Sequence, residues 1–503
     1  MDNRKLTSQE LEELARLGSP RVDMLAAWAN KQLTCSHCKR CTIRCEVLES
    51  AALDMGLVEE GYRRVMALAP GERTAAVLQL VNDRPDVYQA LRRCCFCGYC
   101  TAACRHHVLG ADRMRDWREL FMQAGLMPPD DSKLVMVDNE WHIFSAYRAI
   151  YGVGYPEFVS LAQAAEHGPG LADTVFFPGC SLVSYAPELT RKVGRWLTAA
   201  GVSWALSDDC CGSPLMSAGL FDRAAALRGR ILEQMRAAGV TRMLTVCPGC
   251  GEEFAQEFAG EVDIVPLPEF LLEAARGMQA PAGVSVARVF AGVAGGEAGS
   301  KVVAVEGGAD ASGGDGVGGV GGHADEVAGG AAAGQAEATA TGGGAGGAAA
   351  GGSAHPSLSP ASVTVFDSCH DRADGRHGAA IRALLRRCLP DAELREMDHR
   401  KRGTLCCGAG GAVSSFDGDI TNRRVWRVVE EARATGAQTL VTMCPTCTYT
   451  VAQACLEVPG RAMENHHYLE LLFDEPIDWA QVFDQLGAMW TGEYGPWLMQ
   501  TFY

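Results

Sequence analysis

The amino-acid sequence predicts an α/β protein in which an all-helical N-terminal domain precedes two copies of one α/β domain. Three observations support this prediction. The first 170 residues combine helical periodicity with two compact runs of cysteines. After residue 173, short apolar strands alternate with amphipathic helices, as is typical of parallel α/β units. The same order of elements returns after residue 361, beyond a segment rich in glycine and alanine.

The expected domains follow changes in composition along the chain. We expect a helical domain over 1–170, a first α/β domain over 171–284 and a second over 361–503, which includes a C-terminal extension. The linker, 285–360, is dominated by glycine and alanine and is expected to be disordered. A flexible chain of about 75 residues has an r.m.s. span of roughly 50 Å, so it would tether the two copies without fixing how they pack.

Helices are predicted throughout the N-terminal domain. Thr7 and Glu10 have the spacing of a capping box, and leucines follow them at helical intervals, so the first 33 residues are predicted to be helical. The same periodicity resumes between the two cysteine runs, at 75–80 and 88–91. We therefore expect helical segments on both sides of the first cysteine run.

The two α/β domains share one predicted order of elements, which indicates an internal duplication. In each, a buried strand is followed by helices and then by a second buried strand that leads into Cys-Pro-x-Cys. The predicted strands are 174–177 and 243–246 in the first copy, and 363–366 and 440–443 in the second. The predicted helices are one that ends at Gly201, and those at 222–239, 381–390 and 425–436.

Composition limits the class of function. Lys and Arg total 45 against 61 Asp and Glu, a formal net charge of −16, so we expect no nucleic-acid partner. The first residues lack the apolar core of a secretory signal, and no run of about 18 apolar residues occurs. The chain is therefore expected in the cytoplasm, either free or docked peripherally on the inner face of the cell membrane.

The chain contains 21 cysteines, which are better explained as metal ligands than as disulfides because the cytosol keeps thiols reduced. Eight of them form two runs with the spacing C-x2-C-x2-C-x3-C, which are Cys35, Cys38, Cys41 and Cys45, and Cys94, Cys97, Cys100 and Cys104. This spacing is typical of proteins with two [4Fe-4S] cubane clusters, in which the fourth cysteine of each run binds the other cluster.

The crossed rule assigns the ligands of each cubane cluster. One cluster is expected on Cys35, Cys38, Cys41 and Cys104, and the other on Cys94, Cys97, Cys100 and Cys45. Structural zinc usually takes paired C-x2-C units that are further apart, so it explains these runs less well. Glu46 and Arg105 stand where ferredoxin runs usually have proline, which affects loop geometry and reduction potential rather than ligation. Cys95 falls outside the spacing, with a substitute-ligand role left open.

A second constellation repeats in the α/β domains. The first copy has Cys180, Cys210, Cys211, Cys247 and Cys250, and the second has Cys369, Cys406, Cys407, Cys444 and Cys447. The adjacent pair in each set precedes a glycine, and the cysteines are predicted in loops at strand and helix ends, where ligand sites gather in α/β sheets. Because five thiolates exceed the needs of tetrahedral zinc or an ordinary cubane, each set suggests an unusual cluster.

Two other interpretations of these cysteines remain open. The Cys-Pro-Gly-Cys and Cys-Pro-Thr-Cys segments look like thioredoxin redox motifs, although a thioredoxin does not explain the Cys-Cys-Gly that precedes each one. Zinc could replace the cluster in one of the two copies, where four thiolates would serve structure alone.

Together these motifs make the chain resemble the cysteine-rich Cys-Cys-Gly domain proteins, and specifically the catalytic subunit of heterodisulfide reductase. The resemblance covers nearly the whole chain apart from the linker. Smaller marks agree, namely Pro178-Gly179-Cys180, Asp367-Ser368-Cys369-His370 and His467-x-x-Glu470-Leu-Leu. In the first copy Pro268 is expected to replace the histidine of this last motif.

The resemblance implies an oxygen-sensitive oxidoreductase of anaerobic metabolism. Electrons would enter one at a time through two [4Fe-4S] cubanes, accumulate on one or two noncubane [4Fe-4S] clusters and cleave a thiol disulfide. The ten cysteines of the two Cys-Cys-Gly sets would then be the catalytic ligands. His370, next to Cys369, is the candidate proton donor because histidine titrates near neutral pH.

Such an enzyme needs a partner that supplies electrons. A membrane cytochrome b, a quinone-linked subunit or a soluble flavoprotein would fit, because the chain has no glycine-rich dinucleotide fingerprint of its own. The alternative is a non-catalytic electron-transfer subunit, resembling those of flavin-dependent glycolate, lactate and glycerol-3-phosphate dehydrogenases.

Overall fold

The computed structural model describes residues 35–106, 108–127, 133–277, 357–415 and 417–502. The helix predicted within the first 33 residues and nearly all of the predicted linker lie outside these ranges. The predicted fold class is confirmed in the remainder, because a helical N-terminal part precedes two parallel α/β sheets of four strands each.

Helices of the N-terminal part flank the two cysteine runs and pack around one hydrophobic core. Trp117 and Phe121 are fully buried there, and the Trp117 indole donates to the carbonyl oxygen of Val58 at 3.1 Å. Local sequence sets where several helices begin, since Asp54 caps α2 and prolines open α3 and α4. The helices are α1 Glu46–Ser50, α2 Met55–Met66, α3 Pro70–Asp83, α4 Pro85–Arg92, α5 Tyr99–Ala103 and α6 Gly110–Gln123.

Two further helices, α7 (Ile143–Tyr151) and α8 (Leu161–His167), connect this part to the first sheet. Ser160 caps α8 and forms a parallel bridge with Leu206 of the sheet edge. Leu161 packs in the same core as the first strand of that sheet. The contacts of α8 are therefore with the α/β domain that follows it.

The first α/β domain is a parallel sheet in the order β2-β1-β3-β4. The two central strands, β1 and β3, are almost entirely buried because helices cover the sheet, and most of their residues are apolar. The elements are β1 Thr174–Phe177, α9 Cys180–Tyr185, α10 Pro187–Ala199, β2 Trp204–Leu206, α11 Ser213–Ala218, α12 Phe221–Ala238, β3 Arg242–Thr245, α13 Pro248–Glu257, β4 Asp263–Pro266 and α14 Leu267–Gly277.

The second α/β domain repeats this topology in the order β6-β5-β7-β8, again with parallel strands. The predicted strands are present and differ from the observed ones by one residue at most, whereas two helices begin earlier than their apolar periodicity indicated. The elements are β5 Ser362–Phe366, α15 Arg376–Cys388, β6 Glu393–Leu394, α16 Gly418–Ala434, β7 Thr439–Thr442, α17 Pro445–Glu457, β8 Glu464–His467, α18 Tyr468–Phe473, α19 Trp479–Thr491 and α20 Gly495–Phe502.

The two sheets share one hydrophobic core, because α14 of the first copy lies against α15 of the second. Leu271 and Ile381 are fully buried in it. At the edge of this interface Arg376 Nε donates to Glu269 Oε1 at 2.9 Å. The two copies are thus packed as one unit.

Arg118 of α6 ties the helical part to both copies. Its side chain is fully buried, and burial lowers the pKa of the guanidinium to about 10. Its acceptors are the carbonyl oxygens of Arg92 at 2.6 Å, Cys94 at 3.2 Å, Ser217 at 2.5 Å and Gly411 at 2.8 Å. One side chain therefore satisfies backbone groups from three parts of the chain.

Within the described ranges, no helix combines the length and the apolar character that crossing a bilayer requires.

Candidate functional site

The first cysteine run wraps a loop ahead of α2. Within it, backbone N–H groups of His37 and Met55 point at Cys35 Sγ (3.3 Å) and Cys41 Sγ (3.4 Å). Burial raises the pKa of the Cys35 thiol, and the charges of Asp54 and Cys104 add to that rise, so the last cysteine of the other run lies nearby. Cys38 is exposed, and a hydrogen bond from the backbone of Arg40 lowers the pKa of its thiol.

The second cysteine run forms an interior site. Cys45, the last cysteine of the first run, lies with it, since burial and then the charge of Cys45 raise the pKa of Cys94 to about 11. Cys45, Cys94, Cys97 and Cys100 line one small cavity, together with Cys95. Both runs contain non-glycine residues with positive φ, which are His37, Lys39 and Phe96, as expected where backbone is bent tightly around a bound group.

The first Cys-Cys-Gly set gathers at the carboxyl ends of parallel strands. Cys180 opens α9 after β1, the pair Cys210 and Cys211 follows β2, and Cys247 caps α13 with Cys250 in its first turn. Cys210 Sγ lies 3.7 Å from Cys180 Sγ. Hydrogen bonds from Cys210 and Cys250 lower the pKa of Cys211 well below its usual value. Three of these cysteines therefore belong to helix starts or first turns rather than to loops.

The second set has the same arrangement in the second copy. Cys369 lies in a 3-10 turn after β5, and Cys444 caps α17, whose first turn contains Cys447. Cys447 Sγ lies 3.2 Å from Cys407 Sγ. Hydrogen bonds from Cys369, Cys95 and Cys97 lower the pKa of Cys406 well below its usual value.

The glycine of each Cys-Cys-Gly is required by backbone geometry. Gly212 and Gly408 have φ values of +79° and +85°, a region that side chains disfavour. A Cβ at residue 408 would also meet the Cα atom of Thr421 at 2.8 Å. The glycine thus turns the chain directly after the cysteine pair and lets α16 approach.

The two sets and the second cysteine run are in contact, which the sequence did not reveal. Cys247 Sγ lies 3.7 Å from Cys444 Sγ across the boundary between the copies. At the other end Cys406 contacts Cys97 and also Cys95, whose thiol donates to the carbonyl oxygen of Gly408 at 3.5 Å. We call the resulting series the thiol row; it comprises Cys97, Cys406, Cys369, Cys407, Cys447, Cys444, Cys247, Cys250, Cys211, Cys210 and Cys180.

Arg424 lies at the end of the thiol row formed by Cys97 and Cys406. Burial lowers the pKa of its guanidinium, but the charges of Cys95, Cys406 and Cys97 raise it above its usual value. Its Nε also donates to Glu46 Oε1 at 2.8 Å. A buried cation next to several thiolates favours their deprotonated form, which is the form that binds metal.

His370 lies at the boundary between the two copies. Its Nδ1 atom is 2.6 Å from Glu252 Oε2 of the first copy. Burial lowers the pKa of the imidazole, but the hydrogen bond and charge of Glu252 outweigh burial and raise it to about 9. The sequence singled out His370 but not Glu252, because the two residues are 118 positions apart.

A cavity of about 750 Å3 lies beside His370, between the helical part and both copies. Of the ten Cys-Cys-Gly cysteines, Cys369 is the one that lines it. Its other lining residues come from several elements, among them α5, α6, α13 and the start of α15, and they include Thr245, Gly251, His377 and Arg402. The cavity thus gives small molecules access to the second set.

Pro266, which ends β4, lines the cavity beside His370. The strand registers pair Thr245 with Pro266 and Thr442 with His467, so Pro266, rather than Pro268, replaces the histidine in the first copy. The expectation for Pro268 was wrong because β4 ends at Pro266, so Pro268 already lies in α14.

Cys388 and Cys455 are buried among apolar side chains, in agreement with their apolar sequence positions.

Comparison with known families matches a cysteine-rich domain model to residues 174–255 and again to 363–452. The chain carries two cysteine-rich domains. Each matched range contains one complete Cys-Cys-Gly set, and each coincides with one parallel sheet.

Individual relatives include one reductase subunit and two proteins named as iron-sulfur proteins. One subunit of the fumarate reductase (CoM/CoB) of Methanothermobacter marburgensis is 25% identical over 250 residues, which is 48% of this chain and 47% of the relative. An uncharacterized iron-sulfur protein of Methanococcus maripaludis is 22% identical over 281 residues, 55% of this chain and 40% of the relative. Another, of Methanocaldococcus jannaschii, is 29% identical over 107 residues, 20% of this chain and 22% of the relative. The chain spans less than half the length of each.

The donor set fits iron-sulfur chemistry. All the cysteines that the structure describes have free thiols, and most of those in the two cysteine-rich domains are buried side by side. Thiolates are the soft ligands that iron-sulfur clusters use, and several buried thiols close together can bind one metal centre. Together with the similarity to one reductase subunit and to a protein named as an iron-sulfur protein, this donor set supports the binding of iron-sulfur clusters.

Proposed function

We propose that the protein reduces a thiol disulfide, using electrons that pass from two [4Fe-4S] cubanes to noncubane [4Fe-4S] clusters in the cysteine-rich domains. The observation that carries the proposal is the thiol row, which runs from the second cysteine run through both cysteine-rich domains. A chain that only housed separate clusters would not need its donor sets in contact.

The proposed ligands are those that the crossed rule and the duplication predict. Cys35, Cys38, Cys41 and Cys104 would hold the first cubane, and Cys45, Cys94, Cys97 and Cys100 the second. Cys180, Cys210, Cys211, Cys247 and Cys250 would hold one noncubane cluster, and Cys369, Cys406, Cys407, Cys444 and Cys447 the other. The proximity of Cys45 to Cys94, and of Cys104 to Cys35, supports the crossed sharing.

The overall reaction consumes two electrons and two protons and converts one disulfide into two thiols. When bound, the clusters supply these electrons singly, so two centres in contact suit a two-electron reaction. The protein residues hold the substrate and supply protons. His370 is the proposed proton donor through Nε2, because Glu252 holds Nδ1 on the opposite side of the ring and thereby fixes the ring beside Cys369.

An external partner has to reduce the cubanes, and we propose a membrane cytochrome b, a quinone-linked subunit or a soluble flavoprotein. The similarity to a protein named as a subunit of a reductase supports the proposal that this chain functions within a complex. The exposed Cys38 places the first cysteine run at the surface, where such a partner could reach it.

Two measurements on protein purified without oxygen test the proposal. About 16 iron atoms per chain with matching sulfide and little zinc are expected for four clusters, whereas about 8 to 12 iron atoms with zinc would make one or both cysteine-rich domains structural. Chemically reduced protein should then release two thiols from each molecule of bis(2-hydroxyethyl) disulfide consumed. Reduced protein that leaves every disulfide tested intact, or that co-purifies with a flavin dehydrogenase, would favour the electron-transfer subunit instead.

A further inference from the structure

The two cysteine-rich domains differ at one buried threonine. Thr442 ends β7 in the second copy, and its hydroxyl lies 2.6 Å from the hydroxyl of Thr448 and donates to the carbonyl oxygen of His466 at 3.2 Å. Thr245 ends β3 at the matching position of the first copy, two residues before the Cys-Pro-x-Cys segment. Its hydroxyl is fully buried and has no hydrogen-bond partner among the described residues.

The difference arises because Gly251 occupies the position of Thr448. A Cβ at residue 251 would lie 3.1 Å from Thr245 Oγ1, so the missing side chain leaves a gap next to the hydroxyl. The same point lies 3.9 Å from Cε1 of His377, which belongs to the second copy. The gap is therefore bordered by both cysteine-rich domains.

His377 is a second buried polar group without a partner at this gap. Its Nε2 atom is buried and makes no hydrogen bond to any residue that the structure describes. On the other side of the ring, Nδ1 lies 3.7 Å from Asp371 Oδ1. Buried polar atoms usually have partners in folded proteins, so two unpaired ones beside one gap make it a candidate position for a ligand that pairs with both.

Both residues line the cavity beside Cys369. Thr245, Gly251 and His377 all line it, as does Arg402, an exposed guanidinium that has no side-chain partner in the described part of the chain. The lining carboxylates are already engaged, those of Asp112 with Arg115, Glu252 with His370, Asp371 with the amides of residues 377 and 378, and Asp374 with the amide of residue 376. These carboxylates have partners, whereas the exposed guanidinium of Arg402 can still pair with a ligand, which favours an anion in the cavity.

We propose that Thr245 and His377 form a subsite for the carboxylate of an anionic disulfide, whose sulfur atoms lie toward Cys369. The proposal rests on the proposed function and adds the class of substrate. Thr245 donates its hydroxyl proton to a carboxylate oxygen, His377 Nε2 pairs with the same group, and Arg402 supplies positive charge in the cavity. Because the two polar atoms come from different copies, the ligand also bridges the cysteine-rich domains.

A non-reducible probe tests binding without chemistry. The intact protein, purified without oxygen, is titrated by calorimetry with 3,3′-thiodipropionate, a thioether with two carboxylates. We expect saturable binding, and at least tenfold weaker binding of the neutral diamide of the same compound. Equal binding of the diamide, or no binding of the dicarboxylate, would overturn the proposal.

Variants then locate the subsite. Thr245→Val keeps the shape of the side chain and removes its hydroxyl, so affinity for 3,3′-thiodipropionate should fall about tenfold while Tm without ligand stays the same or rises, because an unpaired buried hydroxyl is lost. Thr442→Val is the matched control, which should lower Tm and leave the affinity unchanged. Gly251→Ala is a second variant, whose methyl group narrows the gap and should also weaken binding. Alanine favours the helical conformation of α13, so this variant should still fold. Unchanged affinity in both Thr245→Val and Gly251→Ala would contradict the assignment.

The outcomes separate this inference from the proposed function. If the variants weaken 3,3′-thiodipropionate binding and reduced protein still leaves 3,3′-dithiodipropionate intact, the anion site stands, but it does not belong to a disulfide substrate. If the disulfide is reduced and Thr245→Val leaves its KM unchanged, the function stands and the subsite is wrong. Propionate that binds as tightly as 3,3′-thiodipropionate would point to a free carboxylate effector and overturn the substrate assignment.

Discussion

The Sγ atoms of Cys247 and Cys444 lie 3.7 Å apart, although 197 positions separate the two residues. Cys247 caps α13, which follows β3, and Cys444 caps α17, which follows β7. Duplication has therefore placed two equivalent helix starts against each other. Hydrogen bonds from Cys250 and Cys444 lower the pKa of Cys247, so the contact favours one thiolate at the boundary.

Replacement of Cys444 by alanine should remove iron from the second cysteine-rich domain. We expect Cys444→Ala to contain up to about four fewer iron atoms per chain, because one donor of a five-thiol set is lost. Cys455→Ala is the control within the same helix, since Cys455 is buried among apolar side chains in α17, and it should keep the full iron content. Equal iron in the two variants would show that Cys444 is not a ligand.

The glycine of the second Cys-Cys-Gly should be intolerant of a side chain. Gly408→Ala places a Cβ 2.8 Å from the backbone of Thr421 at a φ of +85°, and we expect a loss of about 2 kcal/mol or more in folding stability. Gly418→Ala is the matched control, because residue 418 opens α16 with open space around it. Thermal unfolding of both variants measures the difference, and a control as unstable as Gly408→Ala would refute this reasoning.

Arg118 should be essential to the packing of the three parts. Arg118→Met leaves the carbonyl oxygens of four residues unpaired in a buried site, and we expect about 3–5 kcal/mol of destabilisation or failure to fold. Arg64→Met removes an exposed ion pair with Glu60 instead and should cost less than about 1 kcal/mol. Denaturant or thermal unfolding, followed by circular dichroism, measures the stability of both variants. Equal destabilisation of the two would contradict the prediction.

His142 should make stability depend on acid pH. Burial, with a smaller effect of Arg148, lowers its pKa to about 4, so the folded protein binds this proton more weakly than the unfolded chain does. Its contribution to stability is therefore complete above about pH 6.5 and is lost as the pH falls toward 4, by about 1–3 kcal/mol.

His142→Asn tests this dependence without removing the helix cap. His142 Nδ1 accepts the N–H of Ser145, and asparagine is a favoured capping residue that does not titrate in this range. The Tm of the variant should therefore fall less than that of the parent between pH 6.5 and 4. Histidines elsewhere, such as His467, titrate in both proteins and cancel in the difference. Parallel Tm curves would exclude His142 as the cause.

The sequence predicted the fold class and the cysteine sets because both depend on local spacing. Cys-x2-Cys intervals constrain a loop whatever surrounds it, and buried parallel strands are recognised by apolar runs such as 174–177. The start of α15 was missed because Arg376 and His377 are polar on an otherwise amphipathic helix. Arg376 pairs with Glu269 of the first copy, and His377 lines the cavity. The helical periodicity of apolar residues reveals neither contact.

Contacts between distant segments were beyond prediction from spacing. Cys95 was set aside because it breaks the ferredoxin interval, yet it lies against Cys406, more than 300 positions away. Glu252 had no distinguishing neighbour in the sequence, and its importance comes entirely from His370. Thr245 lay within the predicted strand 243–246, and its unpaired hydroxyl follows only from the fold, which places it beside Gly251, where the second copy has Thr448.

The thiol row also constrains how a cell can produce this protein. Cys97 and Cys406 lie half-buried against each other, although one belongs to the helical part and the other to the second cysteine-rich domain. If these two thiols bind the iron-sulfur clusters proposed above, the loading of one cluster depends on how the other part packs, so metal binding and the packing of the two parts are coupled. Iron supply would then limit how much of the packed protein accumulates.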